Sequence, residues 1–253
     1  MASEAVYFNS LSACTLALQL AILVRMYSTN LWRELRMFFV YTLFCVLRTG
    51  LLIFLRNGFG ANSSVYFAGY SVSMLIDTAL AFFVIQEVYA HVLYRYPGLR
   101  TLSAIIFRWA FMLLALVGVV IAMAVPTNDP NPTLAAVMMF ERSVLIVELG
   151  LVALLFALAK ALALGWRECV FGIAAGLSLF FSLDLAALTL RAHYGPSAAL
   201  VYSMFKSLAY MATVAVWTVY IYRSEQSRNR EIVPFQSEML ESWNSTVQQF
   251  LNR

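Results

Sequence analysis

The chain has 253 residues, 62% hydrophobic and 12% charged, with a net charge of +4 and a mean hydropathy of +0.78. A soluble domain is about 25% charged, so the composition excludes an ordinary soluble globule and points to an integral membrane protein. The one extended polar stretch, residues 224–253, is too short for a catalytic or kinase domain.

A hydrocarbon core about 30 Å thick takes about 20 apolar residues per helix. On that criterion seven spans follow in chain order, at about residues 5–26, 38–55, 65–90, 102–125, 134–162, 169–190 and 198–222. The expected fold class is all-α, a polytopic seven-transmembrane-helix bundle over residues 1–223 with a tail over 224–253. The first span lacks the basic flank of a secretory signal and carries Glu4, so it reads as a retained helix. The second is interrupted by Arg48. The third holds Asp77 and, near its end, Glu87 with His91 one turn later, a position that suits capping or solvation better than chemistry. The fourth is the cleanest apolar run. The fifth holds Glu141, Arg142 and, one heptad after Glu141, Glu148. The sixth holds Asp184 and the pair Gly172 and Gly176, whose spacing allows close helix approach. The seventh holds Lys206. These runs are too long and continuous for barrel strands. All six prolines lie in connections or in the tail, so no span is expected to kink at one, whereas transporters with broken helices usually show such interruptions.

Orientation follows from the basic residues. With the N-terminus outside, the inner connections and tail hold Arg25, Arg33, Arg36, Arg95, Arg100, Arg108, Lys160, Arg167, Arg223, Arg228, Arg230 and Arg253. The outer connections then hold only Arg56 and Arg191, which is the positive-inside pattern. Trp32, Trp109, Trp166 and Trp217 fall near the inner boundary, as interfacial anchors do. The predicted arrangement is N-out and C-in, multi-pass, in the inner (plasma) membrane. It also accounts for the pI near 9.0 without nucleic acid. In the tail a helix is expected over about residues 236–252, with Met239, Leu240, Trp243, Val247, Phe250 and Leu251 on one face. That face suits the membrane surface, a cytoplasmic protein partner or a second copy of the chain.

An ionised side chain facing lipid at mid-membrane costs about 2.5–3.5 kcal/mol on insertion scales. Glu141, Arg142 and Glu148 are therefore expected to face other helices. The topology brings Arg48, Asp77, Glu141, Arg142, Glu148, Asp184 and Lys206 to the outer half or centre of the bundle, three basic groups against four acidic ones. Mutual ion pairing follows, either around a polar pocket that binds a ligand or relays protons, or as sealed pairs that fix helix register.

Catalytic chemistry finds little support. Cys14, Cys45 and Cys169 are scattered singly through apolar stretches, and His91 and His193 lie on opposite membrane sides, so no metal-ligand spacing exists. No H-E-x-x-H, Gly-rich phosphate loop or G-x-S-x-G occurs. A lysine in the last of seven helices invites comparison with microbial rhodopsins. However, span seven reads Phe205-Lys206-Ser207 without the aspartate that family places a turn before its lysine, and span three lacks Arg-Tyr-x-Asp-Trp. Retinal on Lys206 is not expected, nor is another cofactor. Rhodopsin-like G-protein-coupled receptors are excluded by the absence of Asp-Arg-Tyr after span three and of Asn-Pro-x-x-Tyr in span seven. Glu87-Val-Tyr-Ala-His91 followed by Tyr94-Arg95-Tyr96-Pro97-Gly98-Leu99-Arg100 resembles a pattern in uncharacterised bacterial seven-helix membrane proteins; the resemblance implies the fold and carries no activity. The expectation is a stand-alone sensor or accessory subunit with a polar pocket in its outer half. The alternatives are a small proton-coupled carrier and a structural or assembly protein.

Overall fold

The computed structural model describes residues 2–60, 63–93, 132–161, 168–194 and 201–223, with 105, 107–110, 112–113, 116–117 and 120 between them. Among these residues there are helices and turns and no strand. We number the helices α1 (Ala2–Ser28), α2 (Leu31–Glu34), α3 (Arg36–Phe59), α4 (Ser64–Val92), α5 (Pro132–Ala161), α6 (Glu168–Tyr194) and α7 (Val201–Arg223). Among the described residues, five stretches are long and apolar enough to cross a membrane: Arg36–Phe59, Ser64–Val92, Met139–Lys160, Cys169–Leu190 and Val201–Arg223. The apolar part of α1, Ala13–Ser28, is shorter. Side chains such as Val24, Leu47, Phe54 and Val72 are exposed around these helices, as in a bundle whose solvent is lipid. The chain is a membrane-embedded helical protein by the length and composition of its helices.

The expected fourth span is described only in pieces, and those pieces are helical. Phe107 among them is buried, edge-on to Phe82 and Tyr89 at centroid distances of 5.0 and 5.1 Å. The tail residues Met239, Leu240, Trp243, Val247, Phe250 and Leu251 lie outside the described residues.

Local chemistry sets the helix ends. The chain leaves α1 through Asn30 at φ 56°, a left-handed conformation that asparagine tolerates better than most residues. It leaves α3 through Gly60 at φ 84°. Ser63 caps α4, its hydroxyl accepting from the Tyr66 N–H at 3.1 Å. The start of α3 follows Leu35, which has no polar side chain to offer. Glu87 of α4 supplies the acceptor instead, taking the N–H groups of Met37 and Phe38 at 3.1 Å each. A carboxylate there satisfies two of the orphan donors and faces the positive end of the helix dipole. The capping reading of Glu87 fits this geometry, and His91 Nδ1 lies 2.9 Å from the Glu87 carbonyl.

α3 packs on α1 and α4, α5 packs on α4 and α6, and α4 also meets α6. α7 closes the bundle against α6 at the glycine pair. A Cβ on Gly172 would stand 2.2 Å from Tyr220 Cβ, and one on Gly176 would stand 2.2 Å from Trp217 Nε1. Trp217 is 1% exposed, donates to the Ile173 carbonyl at 3.2 Å and meets Phe38 edge-on at 5.2 Å. The expectation that Trp217 anchors at the membrane interface is therefore corrected: Gly176 leaves a slot in which the indole packs, and its N–H finds the Ile173 carbonyl there.

Candidate functional site: a polar centre between five helices

Each long helix carries one stripe of buried residues at three- and four-residue spacing, and the charges lie on those stripes. On α5 the stripe runs Glu141, Val144, Leu145, Glu148, Val152 and Leu155. Adjacent residues on a helix point about 100° apart. Arg142 is accordingly exposed on the outside of the bundle. The expectation that Arg142 faces other helices is corrected: Glu141 and Glu148 turn inward, and their shared face cannot include the residue next to Glu141.

The other six expected residues converge. Arg48 (α3), Asp77 (α4), Glu141 and Glu148 (α5), Asp184 (α6) and Lys206 (α7) all line one buried cavity of about 60 Å³. Arg48 Nη1 pairs with Asp77 Oδ2 at 3.0 Å. Lys206 Nζ bridges two carboxylates, Glu141 Oε1 at 2.6 Å and Asp184 Oδ2 at 3.1 Å, tying α7 to α5 and α6. These pairs keep the polar groups together in a low-dielectric bundle, where breaking one of them strands a charge.

With Arg142 outside, the charge count changes. The centre holds two basic groups, Arg48 and Lys206, against four acidic ones, Asp77, Glu141, Glu148 and Asp184. Two acid oxygens have no hydrogen-bond partner: Oε1 of Glu148 and Oδ1 of Asp184, in side chains whose residues are 2% and 3% exposed. The near balance read from the sequence is thus replaced by an excess of acid.

A second cavity, of about 290 Å³ and opening to the surroundings, shares Arg48, Asp77 and Lys206 with the first and adds Thr49, Ser207 and Tyr210. Sequence reasoning missed several of these polar neighbours. Tyr202 and Tyr210 stand one turn either side of Lys206, and Cys45 and Thr49 flank Arg48 on α3. Helical spacing from each charge was the available signal. Cys45 Sγ donates to Asp77 Oδ1 at 3.8 Å, and Gln19 of α1 donates its amide to the Tyr210 hydroxyl. Gln19 is itself fully buried, a polar residue in an apolar span whose partner lies 191 positions away.

Chemically, the arrangement offers two fixed cations, surplus acid oxygens and hydroxyl groups beside a cleft. No three His, Cys, Asp or Glu side chains among the described residues converge as a polydentate metal cage requires. Comparison with known proteins finds no matching family model, no matching curated protein and no matching solved structure.

Proposed function

We propose that the chain is a receptor-like membrane protein, a stand-alone sensor or accessory subunit, that takes a small polar ligand into the cleft beside Arg48, Asp77 and Lys206. The observation that carries this reading is the cleft itself. Its volume of about 290 Å³ is at the lower end of small-molecule pockets, and charged side chains from three helices border it. An ionisable residue inside a membrane span is by default a functional one. In this reading the bundle has seven spans and lies in the inner membrane with the N-terminus outside, and the cleft faces the external medium. Support for that orientation comes from the basic residues, twelve in the inner connections and tail against two in the outer ones. The apolar face of the tail, from Met239 to Leu251, passes the liganded state to a separate partner. Truncation after Pro234 is expected to abolish co-purification of that partner from its own host; unchanged co-purification removes the signalling role from the tail.

A second reading, a small proton-coupled carrier, is favoured by one observation: Glu148 is buried at mid-span with an acid oxygen that no protein group engages. Purified protein in liposomes then shows a proton or solute flux that Glu148→Gln abolishes. No flux with the wild-type chain leaves the receptor reading in place.

A further inference from the structure

We propose that the buried cavity beneath the cleft is a binding site for a monovalent inorganic cation of sodium size, held between Glu148 of α5 and Asp184 of α6. The inference rests on the receptor reading insofar as the cleft must bring water to the cavity. It adds a ligand of defined chemistry that the reading does not contain.

Three observations meet at this place. The first is the charge count. Glu148 is faced by Arg48 and Tyr41 from α3, Asp77 from α4, Asp184 from α6 and Lys206 from α7, with Glu141 two turns away on its own helix. Both cations are already engaged, Arg48 by Asp77 and Lys206 by Glu141 and Asp184. Glu148 makes no ion pair with either of them, although Arg48 Nε, which also has no hydrogen-bond partner, belongs to a residue of the same cavity lining.

The second is that each of two acids keeps one oxygen without a partner. Asp184 gives Oδ2 to Lys206 and keeps Oδ1 without a partner, while Glu148 keeps Oε1 without one. Both residues line the same cavity and are more than nine-tenths buried. A buried carboxylate oxygen without a donor is costly, and a cation is the group that satisfies it.

The third is room. A proton needs no space, whereas this cavity has about 60 Å³, enough for an ion with one or two waters, since a water needs about 10–15 Å³ on the same measure. Tyr41 and Thr78, two further oxygen-bearing side chains, also line it, and oxygen donors suit a hard cation. Two carboxylates, with no group of three His, Cys, Asp or Glu placed to hold a metal among the described residues, suit a singly charged ion better than a divalent or transition metal. One bound cation halves the charge excess. Asp77, one of the four acids, has a side chain that is 20% exposed.

The test uses the purified full-length protein in detergent at constant ionic strength and pH. In sodium chloride the melting temperature is expected to exceed that in choline chloride by about 3 °C or more, because a ligand that binds only the folded state raises its stability. Equilibrium dialysis with radiolabelled sodium should find about one ion per chain. Glu148→Gln and Asp184→Asn should each melt cooperatively in choline chloride and lose both the sodium shift and the bound ion. Wild-type protein with no sodium shift and no bound sodium overturns the site. A shift that survives both substitutions places the ion elsewhere and also overturns it. A melting temperature that follows pH alone, with that dependence lost in Glu148→Gln, assigns a proton to Glu148 and overturns the cation. The receptor reading fails separately, if thiols placed on the cleft walls do not react with aqueous reagents.

Discussion

The two ends of the bundle are built on opposite principles. At the end where α3 begins and α7 finishes, Phe38, Tyr41 and Trp217 interlock edge to face, and Gly172 and Gly176 let α7 close on α6. The polar atoms there are matched: the Trp217 indole reaches the Ile173 carbonyl, and the Tyr89 hydroxyl donates to the Leu151 carbonyl at 2.6 Å. At the end where α3 finishes and α7 begins, ion pairs stand beside the rings of Phe180 and Tyr210, two cavities open, and two acid oxygens stay unmatched. A folded chain does not need the second kind of region for stability. Apolar packing of similar volume is as good or better, so the surplus of buried acid is the ground for placing the proposed function at this end.

Substitutions should separate the two ends, beginning with the largest effect. Lys206→Met strands Glu141 and Asp184 at once and is expected to cost about 3–5 kcal/mol, the usual penalty for removing one partner of a buried pair. Denaturant unfolding in detergent measures it, and adding Glu141→Gln and Asp184→Asn should recover most of the loss. If the single substitution is neutral, Lys206 reaches water and the pairs are not what holds the polar end together.

At the packed end, Gly172→Ala or Gly176→Ala forces a methyl group into Tyr220 or Trp217 and should cost about 1–3 kcal/mol. Little relief should come from charge substitutions at the other end, because the two sites are linked through Tyr41 alone among the rings named, which meets Trp217 and lines the cavity. Glu87→Ala removes the acceptor for the first N–H groups of α3, and a loss of about 0.5–2 kcal/mol is expected, the size of a helix cap. A melting curve suffices for each of these. The smallest effect is the most diagnostic: Glu148→Gln in cation-free buffer should leave stability unchanged or raise it slightly, since it removes surplus charge without stranding a partner. A large loss on Glu148→Gln would mean that the carboxylate is paired and the polar end is balanced.

Much of this was legible in the sequence, for a physical reason. A hydrophobic run long enough to cross lipid has few other uses, so the helices over 36–59, 64–92, 168–194 and 201–223 lie close to the expected spans. The four-residue α2 is too short to leave a periodic signal. The high cost of charge in lipid likewise made the six convergent residues visible before any packing was known. Two readings failed where partners decide the outcome. Arg142 was grouped with Glu141 by adjacency, although one residue along a helix is about 100° around it. Depth alone makes Trp217 an anchor, whereas the slot left for it by Gly176 is a property of two helices together. Gln19 carried a signal that went unread, a lone amide in an apolar span that needed a partner.

The central claim is that the polar end is a wet, accessible centre rather than a sealed set of ion pairs. Cysteine accessibility tests it most directly. In a background without Cys14, Cys45 and Cys169, single cysteines at Thr49 and Ser207 on the cleft wall would be compared with one at Leu47 on the lipid-facing surface. A charged, membrane-impermeant thiol reagent added from outside should modify Thr49→Cys and Ser207→Cys and leave Leu47→Cys unreacted. If neither cleft cysteine reacts in intact or permeabilised membranes, the centre is sealed and its charges serve the fold alone.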